Sequence, residues 1–250
     1  MSKKNIIKYI LLLFTGIQIF SCKHKPDNKP FLFEALESSR TGLNFSNELT
    51  ARADFNMFKY MYFYNGAGVG TGDYNNDGLI DLFFTSNQGQ NKLFLNKGNL
   101  QFEDVTIEAK IPTESAWSTG VSVIDINNDG LLDLYICRVG NFESLQSRNQ
   151  FLICKGINKN GIPFYEDEAQ KMGLAKSAFS TQAAFLDYDG DGDLDMYLMN
   201  HSLRYNGTFN NKETYENTTD SLAGDVLFKN DMGNFTDVSK QAGISGTIIS

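Results

Sequence analysis

Residues 187–195 read DYDGDGDLD, a nine-residue run in which aspartate stands at every odd position. Residues 73–81 read DYNNDGLID and residues 125–133 read DINNDGLLD, so the pattern D-x-[DN]-x-D-G-x-x-D occurs three times. The first aspartates of the three runs are 52 and 62 residues apart. A loop that recurs at such intervals predicts a repeat protein whose units share one plan.

The flanks of the three loops are also alike. Stretches of small residues precede the loops at 66–70, 118–122 and 180–184, and bulky apolar stretches follow at 82–84, 134–136 and 196–198. Small side chains suit an inner strand where backbones crowd together, and bulky ones suit a middle strand packed between neighbouring units. A second matching run closes each unit, at 91–106, 149–169 and 225–239.

Units with several short strands and one loop in a fixed place predict an all-β fold. We expect a partial β-propeller of about three to four four-stranded blades over residues 31–250. In the first two repeats the next loop begins 14 residues after Ile111 and 13 residues after Leu174. The same interval after Ile244 passes the last residue, so we expect a fragment of a longer propeller; a short open array is the alternative.

The chemistry of the loops favours Ca²⁺, which takes about 6–8 hard oxygen ligands. Asp or Asn at loop positions 1, 3 and 5 wraps an ion closely, and glycine at position 6 permits a sharp turn. Position 7 adds its backbone carbonyl and position 9 a further carboxylate. The predicted ligands of up to three ions are Asp73, Asn75, Asp77, Leu79, Asp81, Asp125, Asn127, Asp129, Leu131, Asp133, Asp187, Asp189, Asp191, Asp193 and Asp195. We expect weak affinity, ~10⁻⁴–10⁻³ M as in extracellular modules, with the five-aspartate third loop binding most tightly.

Two other interpretations of the loops are an EF-hand and a set of turns without an ion. An EF-hand needs a bidentate glutamate at position 12 between two helices, whereas position 12 here is Phe84, Ile136 or Leu198 in strand-like flanks. Three Asx-rich turns without an ion are the second alternative. Clustered carboxylates repel one another without a cation, and three copies of the pattern argue against coincidence.

The overall charge agrees with ion binding. The chain has 30 Asp and Glu against 22 Lys and Arg, a formal net charge of −8, and 11 of its aspartates lie in the three loops. A nucleic-acid partner would need clustered lysine and arginine along a phosphate backbone. We therefore expect no nucleic-acid partner.

The N-terminus predicts export. Residues 1–22 read MSKKNIIKYILLLFTGIQIFSC, with lysines ahead of an apolar stretch too short to span a membrane. The ending Ile19-Phe20-Ser21-Cys22 resembles a bacterial lipobox, whose cysteine carries the lipid. We expect a lipoprotein signal over 1–21, lipidation of Cys22 and a polar tether over 22–30, with membrane contact only through the lipid. An ordinary signal peptide with an incidental cysteine is the alternative.

Two further cysteines lie on runs that we interpret as neighbouring strands of one repeat. Outside the cytoplasm Cys137 and Cys154 could form a disulfide, or both could be buried thiols acting as small apolar residues. The sequence does not fix the strand register, so both alternatives remain.

The loops, their small-residue lead-in and the phrase LFLNKG…FEDVT resemble FG-GAP and VCBS repeats, which form the N-terminal β-propellers of integrin α-subunits. The resemblance covers residues 31–250 and is greatest to Bacteroidetes-type VCBS lipoproteins, which often carry a C-terminal ASPIC/UnbV domain. It implies ion loops that brace the blades, partners that dock on a different face, and an adhesion or binding role. The expected location is the bacterial outer membrane, at the cell surface or facing the periplasm.

Two classes of function follow from this sequence. The first is a non-enzymatic binding or adhesion scaffold for a protein or glycan at the cell surface. The second is the propeller part of an enzyme, for example one active on polysaccharide. Candidates for catalysis are few: residues 166–168 (EDE) align with Glu103, Asp104 and Asp237, which favours a repeated turn over paired catalytic carboxylates.

One polar segment interrupts the repeat. Residues 200–224 replace a short connection, and His201, Arg204, Tyr205 and Tyr215 could contact a partner there. A surface insertion without such a role is the alternative. Trp117, just before an inner strand, is interpreted as blade packing rather than a ligand platform.

Overall fold

Residues 32–202 and 221–244 are described by the computed structural model of the protein. The chain divides after Leu36, and the unit that begins at Glu37 contains three antiparallel sheets of four strands each. These sheets are three blades of a β-propeller, so the predicted fold class is confirmed. No helix in the described ranges is both long and apolar enough to cross a membrane.

The strands follow the repeats. Blade 1 contains β1 Val69–Gly72, β2 Asp81–Phe84, β3 Lys92–Asn96 and β4 Phe102–Asp104. Blade 2 contains β5 Ser118–Ile124, β6 Asp133–Arg138, β9 Gln150–Ile157 and β10 Pro163–Asp167, with the hairpin β7 Gly140–Phe142 and β8 Leu145–Gln146 between β6 and β9. Blade 3 contains β11 Ser180–Leu186, β12 Asp195–Asn200, β13 Val226–Asp231 and β14 Asn234–Asp237. A single α-helical turn, α1 Ser38–Thr41, precedes the blades within the described part of the chain.

Two apolar cores lie between the blades. One joins blade 1 to blade 2 through residues such as Phe83, Leu134 and Cys154, and the other joins blade 2 to blade 3 through residues such as Cys137 and Met196. All six residues of β6 are buried because both faces of blade 2 have a neighbour. A four-stranded blade cannot hide both faces alone, so this stacking accounts for the fully buried β6, whereas β2 of blade 1 alternates between buried and partly buried residues.

The inner strands β1, β5 and β11 lie side by side near the propeller axis. Side-chain hydroxyls join them: Thr119 Oγ1 donates to the carbonyl of Ser180 at 2.7 Å, and Ser122 Oγ donates to that of Ala183 at 2.5 Å. A Cβ atom added to Gly120 would overlap the side chain of Gln182 and the carbonyl of Thr181. The prediction that small residues mark a crowded inner strand is therefore confirmed.

The segment ahead of the first blade packs against the blades through its aromatic side chains. Phe45 stacks on Phe84 of β2 with ring centroids 4.8 Å apart. Phe55, Tyr60 and Phe63 pack around Trp117, which is only 2% exposed. Trp117 is thus a packing residue, as predicted, and the aromatic cluster around it lies at the blade ends remote from the aspartate loops.

The two cysteines of blade 2 are free thiols. The register pairs Ile136 with Gln150 and Leu134 with Leu152, so Cys137 and Cys154 occur at opposite ends of the strand pair. Cys137 points into the core shared with blade 3 and Cys154 into the core shared with blade 1. The alternative of two buried thiols is therefore the one that the structure supports.

Candidate calcium loops

The three aspartate loops occupy one position in every blade, between the inner strand and the second strand. The residue at loop position 4 has a positive φ in each: Asn76 at 56°, Asn128 at 55° and Gly190 at 77°. Position 6 is always glycine, with φ of 85° at Gly78 and 94° at Gly192. Glycine adopts this region without strain, so the predicted sharp turn is present. The loops join strands rather than helices, which excludes an EF-hand.

Loops 1 and 2 fold by the same hydrogen bonds. In loop 1 the amide of Asp77 donates to Oδ1 of Asp73 at 3.0 Å and to Oδ1 of Asn75 at 3.3 Å. In loop 2 the amide of Asp129 donates to Asp125 and Asn127, both at 3.1 Å. The side-chain oxygens at positions 1 and 3 are therefore drawn toward the middle of the loop.

Loop 3 brings its carboxylates closest together. One oxygen from each of Asp187, Asp189 and Asp195 lies within 4.8 Å of the others, and no other trio of acidic, His or Cys ligand atoms in the described ranges does so. Ca²⁺ ligands stand about 2.3–2.6 Å from the ion, so two ligands of one ion lie up to about 5 Å apart. The spacing and the all-oxygen donor set fit Ca²⁺.

A lysine side chain approaches the same group of carboxylates. Nζ of Lys229, on β13, forms ion pairs with Asp189 and, at 3.1 Å, with Asp191. These hydrogen bonds raise the pKa of Lys229, and the amide of Asp193 followed by Lys229 lowers the pKa of Asp191. The corresponding positions on β3 and β9 are Leu95 and Ile153, so this contact belongs to the third loop alone. Because an ion would compete with Lys229 for these carboxylates, the contact opposes the expectation that loop 3 binds calcium most tightly. That expectation stays a prediction.

The position-9 aspartates are buried and accept hydrogen bonds from backbone amides. Asp81, Asp133 and Asp195 are fully inaccessible to solvent. Oδ1 of Asp133 accepts from the amide of Cys154 at 2.7 Å, and Oδ2 accepts from that of Ile126 at 3.2 Å. The equivalent donors are Asn96 and Tyr74 for Asp81, and Asn230 and Tyr188 for Asp195. Each carboxylate thus ties the start of its loop to the third strand of the blade.

Burial also changes the acidity of these carboxyl groups. Desolvation raises the pKa of Asp133 to about 6, against the opposing effect of its two amide donors. The neighbouring carboxylates of Asp129 and Asp125 raise it further. Burial raises the pKa of Asp81 in the same way. A nearby cation would favour the charged form of both groups.

The position-7 residues donate their backbone amides to the position-5 aspartates. Leu79 and Leu131 donate their amides to Asp77 and Asp129 at 2.9 Å, and Asp193 donates to Asp191 at 3.0 Å. The carboxylate of Asp193 accepts from the amide of Met232, in the turn between β13 and β14, at 3.1 Å. Ion binding through the carbonyls of these three residues stays a prediction.

Other candidate residues from the sequence have structural roles. Asp167 accepts from the amides of Phe151 and Ala169, both at 3.1 Å, as a turn residue does. Asp104 and Asp237 cap the same turn in blades 1 and 3, so residues 166–168 belong to a repeated turn. Cys22 with the predicted signal and tether, as well as Arg204, Tyr205 and Tyr215, lie outside the described residues.

His201 is enclosed by aromatic rings and hydrogen-bonded at both ring nitrogens. Its Nε2 lies 3.0 Å from the hydroxyl of Tyr60, and its Nδ1 lies 3.1 Å from Oγ1 of Thr181. The ring of Tyr62 is 4.3 Å away between centroids. Burial lowers the pKa of His201 to about 4. This residue therefore holds the segment ahead of the first blade against blade 3.

Comparison with known proteins agrees with the repeat pattern. Residues 73–136, which span the first two loops, match the family model of the FG-GAP-like repeat. Cartilage acidic protein 1 of Xenopus tropicalis is 27% identical over 174 residues, which cover 68% of this chain and 25% of the relative. The mouse and human forms are 27% and 26% identical over 137 residues, or 54% of this chain and 20% of each relative. The chain spans about a quarter or less of the length of these curated relatives.

Proposed function

We propose that this chain is a non-enzymatic binding or adhesion scaffold whose blades are braced by calcium at the bacterial cell surface. The observation that carries the proposal is in loop 3, where one oxygen from each of Asp187, Asp189 and Asp195 lies within 4.8 Å of the others. A loop of the same pattern recurs once per blade. Nine oxygen-bearing residues at positions 1, 3 and 5 are available to three ions. The FG-GAP-like repeat match and the similarity to cartilage acidic protein 1 also support a non-enzymatic scaffold.

Bracing follows from where the loops lie. Each loop joins two strands, and its position-9 aspartate reaches a third, so an ion held in the loop stiffens the connection between three strands. Loops 1 and 2 are also linked to each other, since Nδ2 of Asn76 donates to the carbonyl of Gly130 at 3.0 Å. Calcium would convert the mutual repulsion of the loop carboxylates into attraction to a shared ion.

The test is thermal unfolding of the purified chain in chelator, in 10 mM Ca²⁺ and in 10 mM Mg²⁺. A site with a Kd of ~10⁻⁴ M adds about 2.7 kcal/mol to the free energy of unfolding at this concentration. We expect Tm to rise by several degrees with Ca²⁺ and by much less with Mg²⁺. The triple variant Asp73→Asn, Asp125→Asn, Asp187→Asn is expected to lose the rise. Equal Tm values in chelator and in calcium would reject the brace.

The anchor is tested separately in cells. Cys22→Ser removes the proposed lipid attachment while leaving the signal in place. The wild-type protein is expected in the membrane fraction, labelled by a radioactive fatty acid, and the variant unlabelled. Equal labelling of both proteins would reject a lipid on Cys22, without bearing on the calcium loops.

A further inference from the structure

Four large apolar or aromatic side chains are exposed within eight consecutive residues ahead of the first blade. Met57 and Met61 are 49% and 45% exposed, Tyr64 is 65% exposed and Phe58 is 93% exposed. Single exposed apolar residues are common on protein surfaces, whereas a group of them indicates an interaction site. An aromatic side chain has roughly 150–250 Å² of surface, so the two rings alone present roughly 250–400 Å². We call these four residues the apolar patch.

The local backbone explains why these side chains are left on the outer side of the segment. The amide of Tyr60 donates to the carbonyl of Asn56 at 2.9 Å, and that of Phe63 donates to the carbonyl of Tyr60 at 3.0 Å, so the chain winds in turns over residues 56–63. These turns direct the rings of Phe55, Tyr60 and Phe63 against Trp117. The members of the apolar patch alternate with the buried rings along the chain and face solvent.

The core beneath the apolar patch has no room for it. Phe55, Tyr60, Phe63 and Trp117 are each 2% exposed or less, so their rings already fill the space between the segment and the blades. The hydroxyl of Tyr60 also lies 3.0 Å from Nε2 of His201, which fixes the segment in this orientation. Protein interiors are close-packed, so the patch can be covered only by something outside this part of the chain.

The apolar patch and the aspartate loops belong to opposite ends of the blades. Trp117, against which the segment packs, directly precedes β5. That strand begins opposite Arg138 and ends opposite Asp133, the position-9 residue of loop 2. Residues 55–72 contain no Asp or Glu, and Lys59 is their single charged residue, although the chain has 30 acidic residues. One end of the molecule is therefore apolar and nearly neutral, and the other is strongly acidic.

Charge and chain length favour a lipid surface as the occupant. Anionic headgroups would repel the acidic end and accept the end that carries the apolar patch and Lys59. The predicted lipid on Cys22 is 15 positions before Glu37 in sequence. A fully extended chain of that length spans at most about 50 Å, so the blades stay close to the bilayer. At such a short distance the effective concentration of lipid is high, and even a weak contact forms.

We propose that the apolar patch inserts into the lipid surface beside the anchor, so that the aspartate loops point away from the membrane. The inference rests on the proposed function, which places the protein at a membrane, and it adds a contact beyond the one that the sequence predicted through the lipid alone. The side chains of Met57, Phe58 and Met61 suit the acyl region. Tyr64, apolar with a polar hydroxyl, suits the headgroup boundary.

The experiment sediments the mature chain, from position 22 onward, with protein-free phosphatidylcholine vesicles in saturating calcium. The chain carries Cys22→Ser and therefore no acyl group, so binding reports the protein surface alone. Burying a phenylalanine side chain changes a partition constant roughly ten- to a hundredfold. We expect the parent chain to sediment with the vesicles and Phe58→Ser to lower its partition constant at least tenfold. Leu100→Ser is the matched control with unchanged binding, since Leu100 is 56% exposed in the turn between β3 and β4, at the loop end of blade 1.

A second measurement reports insertion. Vesicles with brominated acyl chains should quench the tryptophan introduced by Phe58→Trp, whereas Trp117, only 2% exposed, serves as the unquenched reference in the parent chain. Three results would overturn the proposal: no sedimentation of the parent chain, as expected of a patch that serves a protein partner, equal binding by Phe58→Ser, or an unquenched tryptophan at position 58. Labelling of Cys22 and calcium-dependent melting are separate measurements, so a failed anchor or brace is distinguishable from a failed patch.

Discussion

Oδ1 of Asp133 accepts a hydrogen bond from the backbone amide of Cys154 at 2.7 Å, across the sheet of blade 2. Its other oxygen accepts from the amide of Ile126, at the start of the loop. This aspartate is therefore a strut between the loop and the third strand, in addition to being a predicted ion ligand. The two roles can be separated by experiment, because only one of them needs calcium.

Asp133→Asn should destabilise the protein even in chelator. The amide replaces one acceptor oxygen with a donor, so one of the two buried backbone amides loses its partner at a cost of about 1–3 kcal/mol. Asp129→Asn changes an exposed position of the same loop. It should leave the free energy of unfolding in chelator unchanged and reduce only the stability that calcium adds. Urea unfolding with and without Ca²⁺ measures both. An Asp133→Asn protein as stable as wild type in chelator would contradict the strut.

Calcium affinity should fall as the pH drops below 6. The folded pKa of Asp133, about 6, lies above the ordinary value of 3.8, so in ion-free protein this group stabilises the fold at low pH. That contribution disappears as the pH rises through about 6. Calcium binds the ionised form, so it must displace the proton, and the affinity of loop 2 should fall up to about tenfold per pH unit below 6. Calorimetric titrations at pH 7.5, 6.0 and 5.0 measure the trend, and an affinity independent of pH over this range would refute it.

Lys229→Met should strengthen calcium binding at the third loop. The ammonium group pairs with Asp189 and Asp191, and calcium must displace it to use those carboxylates. We expect an increase in affinity of roughly three- to tenfold, typical of removing one partly solvated charge contact. Titration in the background of Asp73→Asn and Asp125→Asn isolates this loop. Lys92→Met, whose lysine pairs with Asp104 outside the loops, is the control. Weaker binding in Lys229→Met would show that the lysine supports the site.

Acid should weaken the attachment of the segment ahead of the first blade. Burial lowers the pKa of His201 from 6.5 to about 4, so the fold favours the neutral ring. The neutral ring's contribution to the free energy of unfolding is complete above pH 6.5. It is lost as the pH falls toward 4, and the loss amounts to at most about 3 kcal/mol. His201→Gln, which does not titrate, should lose less stability over that range. Urea unfolding of both proteins at pH 7.5, 5.5 and 4.5 in saturating calcium makes the comparison; parallel losses would exclude His201 as the cause.

Sequence alone predicted the parts of this structure that are encoded locally. Gly78, Gly130 and Gly192 mark positive φ at a fixed loop position, and the small residue Gly120 marks the crowded inner strand. Such features depend on a few adjacent residues and repeat in every blade. The blade count and the position of each loop followed from the repeats for the same reason.

Features that depend on strand register, or on contacts between residues far apart in the chain, could not be predicted from the sequence. Whether Cys137 and Cys154 face one another is decided by pairing between β6 and β9, which no local pattern specifies. Lys229 contacts Asp189, which is 40 residues away in sequence, and Glu114 contacts Gln150, which is 36 residues away. A signal existed for the lysine, since its repeat-equivalent positions hold Leu95 and Ile153, and a charge replacing a buried apolar residue calls for a partner. Arg138 and Gln150 align with Ser86 and Lys92 of blade 1, so no pattern shared by the repeats marks their contacts with Glu114.

The aromatic cluster remote from the aspartate loops affects how the molecule unfolds. Phe55 from the leading residues, Trp117 ahead of blade 2 and Phe179 ahead of blade 3 all belong to it. Linear repeat arrays can fray from their ends, because each module touches only its neighbours. Here one buried aromatic cluster joins the leading residues to blades 2 and 3, and a separate apolar core joins blade 2 to blade 1, so the loss of any blade exposes apolar surface on its neighbours. Denaturation should therefore proceed as a single cooperative transition rather than module by module.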